Sequence, residues 1–307
     1  MKHILGSCVL AGLFLFCACD DTLDTKVTWQ IGDSDTWRVP ELAQGVLYKA
    51  YNGIANRPDC FEDNFLDCAT DNAVTNLRSS SVYKLNMGGM TAFNNPIGNW
   101  SNAYNMLNYV NSFLENGLTD QVQYNRTDPE VDKQIKLRLE GESYFLRAWC
   151  YYSMVKWYGG VPIVTKVQDP VESSFVPRST TKACIEFICN DLDIAADMLR
   201  AKTTNGGWNG DNYGRVTTAS AMALKGRVLL LWASPLFNRA NDESRWAAAY
   251  EYIKESIKDI NACGNHLYTT GNNINGSDFA KMFTVIQNPE MVFGTLHNMK
   301  QDDDTKK

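Results

Sequence analysis

The chain has 307 residues, of which 44% are hydrophobic and 21% are charged. This composition is typical of a globular protein with a substantial core, and it excludes a largely disordered chain. The net charge of −6 and the pI near 5.2 argue against a nucleic-acid partner, which would require a basic surface.

The first residues have the pattern of a secretion signal. Lys2 supplies a positive end, the apolar run from Ile4 to Phe16 is too short to span a bilayer, and Ala18 is a small residue before Cys19. Cleavage after residue 18 would leave Cys19 first, as in a bacterial lipoprotein. We therefore expect residues 1–18 to be a signal peptide and Cys19 to be the lipidated residue.

Two alternatives to this cleavage stay open. The letters around Cys8 fit a lipobox better, but cleavage there would leave the apolar run from Val9 to Phe16 on the mature protein. The other alternative is an ordinary cleaved signal with a secreted product. After Cys19 the sequence is polar up to about Pro40, which predicts a tether over residues 19–40.

Residues 41–307 are predicted to form one mainly helical domain. Apolar residues recur at helical spacing in the stretches Glu41–Asn56, Ile97–Asn116, Pro129–Tyr158, Thr180–Ala201, Thr217–Ala233 and Trp246–Ile260. Two apolar runs near the end, Met282–Ile286 and Met291–Leu296, are short enough to be strands. Helix pairs joined by loops suggest stacked repeats, but the helix starts are unevenly spaced, so we expect irregular helix hairpins with long loops.

The stretch Pro129–Tyr158 is predicted to be the core helix. Asp128 can cap its first N–H groups, Pro129 suits the first helical position, and Gly159 can end it. Seven of the fifteen residues from Tyr144 to Tyr158 are aromatic and lie on every side of the helix. A helix that is apolar all round is buried. We therefore expect these aromatics to form core rather than a binding platform, with Arg147 stacked or paired structurally.

The loop at residues 58–76 is rich in acidic residues and is bracketed by Cys60 and Cys68. Calcium prefers several oxygen ligands, but the D-x-D-x-D-G spacing is absent, so a solvated loop is favoured over a calcium site. The two cysteines are the most plausible disulfide pair in the chain. The acidic residues concerned are Glu62, Asp63, Asp67 and Asp71.

Several short patches carry a resemblance to a known family. In chain order they include Ala69-Thr-Asp-Asn-Ala73, Trp100-Ser-Asn-Ala-Tyr104, Glu142-Ser-Tyr-Phe-Leu-Arg-Ala148, Tyr158-Gly-Gly-Val-Pro162, Pro177-Arg178-Ser179, Gly214-Arg215-Val-Thr217 and Asn288-Pro-Glu290. Together they resemble the SusD/RagB family of surface lipoproteins from Bacteroidetes. The sequence departs from the family pattern at Gly141, where alanine is usual, and in the weak lipobox before Cys19.

The resemblance implies a tetratricopeptide-like helical fold anchored in the outer membrane and facing outward. It also implies a partner, a TonB-dependent transporter of the SusC type, to which such lipoproteins deliver captured oligosaccharides or, in some branches, peptides. Members of the family are binding proteins rather than enzymes and need no cofactor. They usually continue well past the Asn-Pro-Glu patch, whereas this sequence stops at Lys307, so we expect a truncated chain with apolar surface uncovered near its C-terminus.

Glycan capture requires an aromatic face under the sugar ring, with amide and carboxylate groups for its hydroxyls. Two loops offer this combination, and we predict that their residues contact the ligand. Trp100 and Tyr104 are expected instead to serve in helix packing. The predicted ligand contacts are Phe93, Asn94 and Asn95 in the first loop, and Trp208, Asn209, Asp211 and Tyr213 in the second.

No catalytic motif accompanies these loops. After signal removal only His266 and His297 remain, and neither lies in a zinc-protease or triad-like context. A surface hydrolase working through a pair of carboxylates stays open as an alternative, since sequence cannot show the separation that such a pair needs. The favoured function is oligosaccharide capture, with peptide capture by the same architecture as the second reading.

Overall fold

The computed structural model describes residues 33–55, 66–91, 99–168, 175–200, 214–271, 276–285 and 288–294. The chain divides into two compact units, Met1–Thr36 and Trp37–Lys307. Of the first unit only the short helix α1, Asp33–Thr36, is described. The predicted signal peptide and Cys19 lie outside the described residues. In the second unit Trp37 already packs against the core, so packing begins before the predicted end of the tether.

The described part of the second unit is helical, which confirms the predicted fold class. Its helices are α2 (Pro40–Ala55), α3 (Ser81–Asn86), α4 (Asn99–Asn116), α5 (Pro129–Tyr158), α6 (Thr181–Arg200), α7 (Thr218–Ala233), α8 (Glu243–Ala262) and α9 (Ser277–Met282), with a 3₁₀ turn at Leu66–Ala69. Along the chain the long helices pack mainly on their neighbours: α2 on α4, α4 on α5, α5 on α6, α6 on α7 and α7 on α8. This is the predicted arrangement of irregular helix hairpins.

Local signals explain where α5 begins and ends. The Asp128 carboxylate accepts hydrogen bonds from the backbone N–H groups of Glu130 and Val131, and Pro129 takes the first position, where no N–H is needed. Gly159 ends the helix with φ of 69°, a left-handed conformation that favours glycine. Both ends therefore agree with the sequence prediction.

Gly141 of α5 allows α6 to approach closely. A Cβ at this position would lie 3.0 Å from Leu199 Cγ and 3.1 Å from Met198 Cβ. The position that departs from the family's usual alanine is thus one where side chains of α6 pack against the α5 backbone. Glycine in a helix interior costs roughly 1 kcal/mol relative to alanine. Here it permits the tight packing of α6 on α5.

The core is organised around α5, as predicted. Phe145, Leu146, Tyr151 and Met154 are fully buried, and side chains from α2, α4, α6 and α7 pack with them in one cluster. The segment 288–294 covers another side of α5, because the ring of Phe293 lies 5.3 Å from that of Phe145 and 5.8 Å from that of Trp149.

A buried carboxylate joins α5 to the start of α7. Glu142 is fully buried and accepts two hydrogen bonds from the Arg215 guanidinium, at 2.9 and 2.6 Å. Arg138 Nε lies 3.6 Å from the same carboxylate, and Arg215 also donates to the Tyr48 hydroxyl at 2.8 Å. Burial alone would lower the pKa of Arg215, but the charge of Glu142 and its hydrogen bonds, together with Tyr51 and Tyr48, outweigh burial and raise that pKa. Arg215 therefore stays charged.

Two predicted strands are absent from the described residues. Within Met282–Ile286, Met282 ends α9 and Phe283–Thr284 continue as a turn, with the Thr284 N–H donating to the Lys281 carbonyl. Residues 291–294 form no strand either. Short apolar runs do not distinguish a strand from a helix end by periodicity alone, which explains the wrong prediction. The structure also has a short helix, α3, which was not predicted; the Ser80 side chain caps it by accepting a hydrogen bond from the Val82 N–H.

The described cysteines are free thiols. Cys150 is buried as a small apolar residue, and Cys184 and Cys189 on α6 are not paired. Cys68 is also free, so the expected pairing with Cys60, which lies outside the described residues, is not supported.

Apolar side chains are exposed near the C-terminal end of the described residues. Leu267, Phe279 and Phe283 are 76%, 65% and 72% exposed.

In the described part of the chain no helix is long and apolar enough to cross a membrane.

Candidate functional site

The predicted ligand contacts all fall outside the described residues. This holds for Phe93, Asn94 and Asn95 and equally for Trp208, Asn209, Asp211 and Tyr213. Their roles stay predictions. The described residues instead show an aromatic cluster immediately after the first of these loops in the sequence.

This cluster, which we call the aromatic corner, consists of Trp100, Tyr104 and Tyr158. The Trp100 ring lies 5.1 Å from the Tyr104 ring and 5.2 Å from the Tyr158 ring, the latter at an interplanar angle of 90°. Trp100 is nevertheless 39% exposed. Part of a rigidly packed indole therefore faces solvent at the end of α5 where the chain leaves the helix.

Helix geometry accounts for the arrangement. Trp100 and Tyr104 are four residues apart in the first turns of α4, so their side chains lie on one face. Tyr158 is the last residue of α5, which packs against α4. The prediction that Trp100 and Tyr104 take part in helix packing is confirmed by these ring contacts. The exposed fraction of Trp100 was not foreseen.

Two hydrogen bonds hold the start of α4, which carries Trp100 and Tyr104, against neighbouring segments. The Tyr104 hydroxyl donates to the Pro162 carbonyl at 2.8 Å, and the Asn99 amide donates to the Ser153 hydroxyl at 3.0 Å. Burial raises the pKa of Tyr104, and the nearby charge of Arg178 opposes that rise only in part. Tyr104 therefore remains a protonated donor at neutral pH.

Arg178 closes the C-terminal end of α5. Its guanidinium donates from Nε to the Gly160 carbonyl and from Nη2 to the Tyr158 carbonyl. The last carbonyls of a helix have no partner within the helix, so a side chain that binds them caps it. Arg178 thus holds the turn that carries Tyr158.

The segment 66–91 flanks the corner. Buried Val82 of α3 packs with Tyr158 and with Cys68 of the preceding 3₁₀ turn. This contact places the segment 66–91 beside Tyr158. Exposed carboxylate and amide side chains on the segment are Asp67, Asp71, Asn72 and Asn76.

The exposed indole supplies an apolar face for a sugar ring, and the exposed carboxylates and amides of the segment 66–91 are candidate hydrogen-bonding groups. Comparison with known proteins agrees with this chemistry. A SusD-like family model, described as starch-binding and associating with the outer membrane, matches residues 23–230. The chain belongs to this family.

The individual SusD-like proteins that match this chain share low sequence identity with it. A SusD-like protein of Bacteroides ovatus is 25% identical over 158 residues, covering 52% of this chain and 26% of the relative. SusD-like protein P38 of Formosa agariphila is 21% identical over 194 residues, covering 62% of this chain and 36% of the relative. The chain thus spans only about a quarter to a third of these two proteins.

Solved structures of the family share the fold. A SusD-like protein from Bacteroides fragilis superposes with a TM-score of 0.65 at 25% identity, covering 87% of this chain and 46% of that one. A laminarin-binding SusD-like protein gives a TM-score of 0.55 at 20% identity, covering 77% and 49%. The likeness extends over most of this chain and about half of each relative.

Arg147, which lies among the aromatics of α5, has a structural role, as predicted. It forms a bidentate pair with buried Asp191 of α6, at 2.7 and 2.9 Å, and its guanidinium lies 4.9 Å from the Tyr144 ring and 5.2 Å from the Phe187 ring. Burial opposes the charge of Arg147, but hydrogen bonding to Asp191 raises its pKa. The pair joins α5 to α6.

The calcium prediction is not tested by the structure. Glu62 and Asp63 lie outside the described residues, while Asp67 and Asp71 are exposed on the flank of the corner. Among the residues that the structure describes, no three His, Cys, Asp or Glu side chains are grouped so as to hold a metal ion.

Sequence reasoning missed two residues of the site. Trp100 was assigned to packing because its spacing to Tyr104 is helical, but its place in the first turn of α4, directly after a Gly- and Asn-rich loop, signals that one side can stay uncovered. Arg178 belongs to a patch that carried the family resemblance, and no local signal tells that it reaches back to the end of α5.

Proposed function

We propose that this protein captures oligosaccharides at the cell surface and that the exposed face of Trp100 is a stacking surface for a sugar ring. The observation that carries the proposal is the aromatic corner, where a partly exposed indole packs on Tyr104 and Tyr158. The family description, starch-binding and associating with the outer membrane, supports the same ligand class. Two of its solved relatives are named as laminarin-binding and surface glycan-binding proteins.

The proposal extends to the setting of the binding event. We propose that Cys19 carries the lipid that anchors the chain to the outer membrane, facing outward, and that a SusC-type TonB-dependent transporter receives the captured ligand. The loop residues Phe93, Asn94 and Asn95 precede Trp100 closely in the sequence and are proposed as further contacts. Trp208, Asn209, Asp211 and Tyr213 are proposed as contacts from the second loop.

Calorimetry tests the binding function. The mature chain, produced with Cys19→Ser to avoid lipidation, is titrated with maltohexaose, with laminarihexaose and with a panel of peptides. We expect heat of binding with at least one of the two oligosaccharides and no release of shorter sugars over hours. Binding to peptides alone would favour the peptide-capturing alternative, and sugar release lost on changing a carboxylate would favour a hydrolase.

A matched pair of variants tests the site. Trp100→Ala should weaken oligosaccharide binding at least about tenfold, or about 1.4 kcal/mol, because the stacking face is removed. Trp246→Ala on α8 is the control, since Trp246 is equally exposed at 39% and belongs to another surface. Equal affinity of both variants and the parent protein would show that the corner is not the binding surface.

A further inference from the structure

The end of α5 and the segment that carries Arg178 cross at very close range. A Cβ on Gly160 would lie 2.0 Å from the Ser179 carbonyl oxygen, so only glycine fits there. The Ser179 N–H also donates to the Val161 carbonyl at 3.2 Å. The backbone of residues 178–181 is therefore laid directly on the turn that follows Tyr158.

At this crossing Arg178 donates hydrogen bonds to the carbonyls of Gly160 and Tyr158, for which α5 itself supplies no donor. The two donors, Nε and Nη2, lie on one planar guanidinium and bind the carbonyls of Gly160 and Tyr158 together. A planar fork of this kind fixes the relative orientation of its two acceptors, which a lysine ammonium cannot do. The carbonyl of Tyr158 is fixed in this way, and the ring of the same residue is the one that meets Trp100 at 90°.

Two features indicate that Arg178 orients the turn rather than holding the whole fold together. Arg178 lies at the surface, and a protein hydrogen bond contributes only about 1 kcal/mol net to the free energy of unfolding. Val82 packs on Tyr158 from the side of the flank and keeps its ring near α3 in any case. Loss of Arg178 is therefore expected to loosen the orientation of the last turn of α5 while the helix bundle remains folded.

We infer that Arg178 is a positioning residue of the aromatic corner, which orients Trp100 for a sugar ring through the last turn of α5 and the ring of Tyr158. The inference rests on the proposed function for its consequence in binding. Its structural half, the coupling of Arg178 to Trp100, does not depend on any ligand.

The coupling is measured by near-ultraviolet circular dichroism on the mature chain. The chain has eight tryptophans, so the signal of Trp100 is obtained as the difference between the parent protein and Trp100→Phe. The same difference is then taken between Arg178→Gln and the double variant Arg178→Gln/Trp100→Phe. We expect the Trp100 difference spectrum to lose at least about half of its amplitude without Arg178, since such signals require a fixed ring geometry.

Arg245→Gln is the matched control. Arg245 donates to the Phe237 carbonyl at 2.9 Å beyond the end of α7, and its guanidinium lies 3.8 Å from the Trp232 ring. It is thus another arginine that binds backbone carbonyls near a helix end beside a tryptophan, away from the corner. Arg245→Gln should leave the Trp100 difference spectrum unchanged.

Affinity gives the functional readout. With whichever of maltohexaose and laminarihexaose binds the parent protein, Arg178→Gln should weaken binding about tenfold, Arg178→Lys should lie between it and the parent, and Arg245→Gln should not change it. An unchanged Trp100 spectrum in Arg178→Gln would overturn the inference. A changed spectrum with unchanged affinity would refute its functional half.

The two proposals fail in different ways. If neither sugar binds the parent protein, the proposed function fails, while the spectra still decide whether Arg178 orients Trp100. If Arg178→Gln does not fold, as judged by far-ultraviolet circular dichroism, Arg178→Lys decides. It keeps the charge but not the fork, so a full Trp100 signal in that variant would overturn the inference.

Discussion

The middle of α5 and its C-terminal end carry similar residues in different surroundings. In the middle, Phe145 and Tyr151 are fully buried and the charged groups of Glu142 and Arg147 are neutralised by partners on other elements. At the end, Trp157 is 40% exposed and Tyr158 is only partly covered. An aromatic-rich helix can therefore supply core along most of its length and a surface ring at its last turn.

The position along the helix decides between these two roles. The middle of α5 is covered by α4, by α6 and by the segment 288–294, whereas the described contacts of its last turn include the start of α4, α3 and the crossing at Ser179. Substitutions in the middle should therefore act on stability, and substitutions at the end should act on binding. The following predictions test this difference, from the largest expected effect to the smallest.

Glu142→Ala should have the largest effect on stability. It leaves Arg215 buried without its carboxylate, and breaking a buried ion pair on one side costs about 3–5 kcal/mol. Urea unfolding measures the loss. Glu255→Ala serves as the control, because the Glu255–Lys258 pair is exposed and should contribute less than about 1 kcal/mol. If both variants unfold at similar urea concentrations, the buried pair does not stabilise the middle of α5.

Trp149→Ala should destabilise the protein by about 3 kcal/mol, since it removes the ring that packs on Phe145 and Phe293. Trp157→Ala on the same helix should cost less than about 1 kcal/mol because Trp157 is 40% exposed. Thermal unfolding of both variants measures the difference. A Trp149→Ala protein that stays as stable as the parent but no longer binds oligosaccharide would place a binding role in the middle of α5.

Glu140→Gln should give the smallest effect and the opposite sign. Burial raises the pKa of Glu140 above its ordinary value of 4.5, so the folded state disfavours the ionised carboxylate. Stability associated with Glu140 is thus full below pH 4.5 and falls as the pH rises through the raised pKa. The variant should unfold at a higher temperature than the parent at pH 7 and at the same temperature below pH 4.5. A constant difference across this range would exclude the carboxylate as its cause.

Local signals in the sequence predicted much of this fold. The bounds of α5 follow from Asp128, Pro129 and Gly159, which act within a few residues of themselves, and the structure confirms them. The structural role of Arg147 was also predicted, because a charged group among aromatics on a buried helix needs a partner. Its partner Asp191 could not be named, since that contact depends on how α5 and α6 meet.

The candidate site was less predictable for the same reason. Trp100, Tyr158 and Arg178 come from separate parts of the chain and meet only through packing, so no pattern within any one part shows that they lie together. The loop residues predicted to bind ligand, such as Phe93 and Trp208, stay untested because they lie outside the described residues. The wrong strands at 282–286 and 291–296 show the limit of short apolar runs, whose periodicity fits several structures.

The contact of Phe293 with Phe145 and Trp149 has a consequence for folding order. These residues are separated by nearly half the chain, and such non-local contacts form late because a long loop must close first. During synthesis, which begins at the N-terminus, α4, α5 and α6 can pack together while one aromatic side of α5 is still exposed to water. We expect this intermediate to bind a hydrophobic dye or a chaperone, and to stop doing so when residues 288–294 dock.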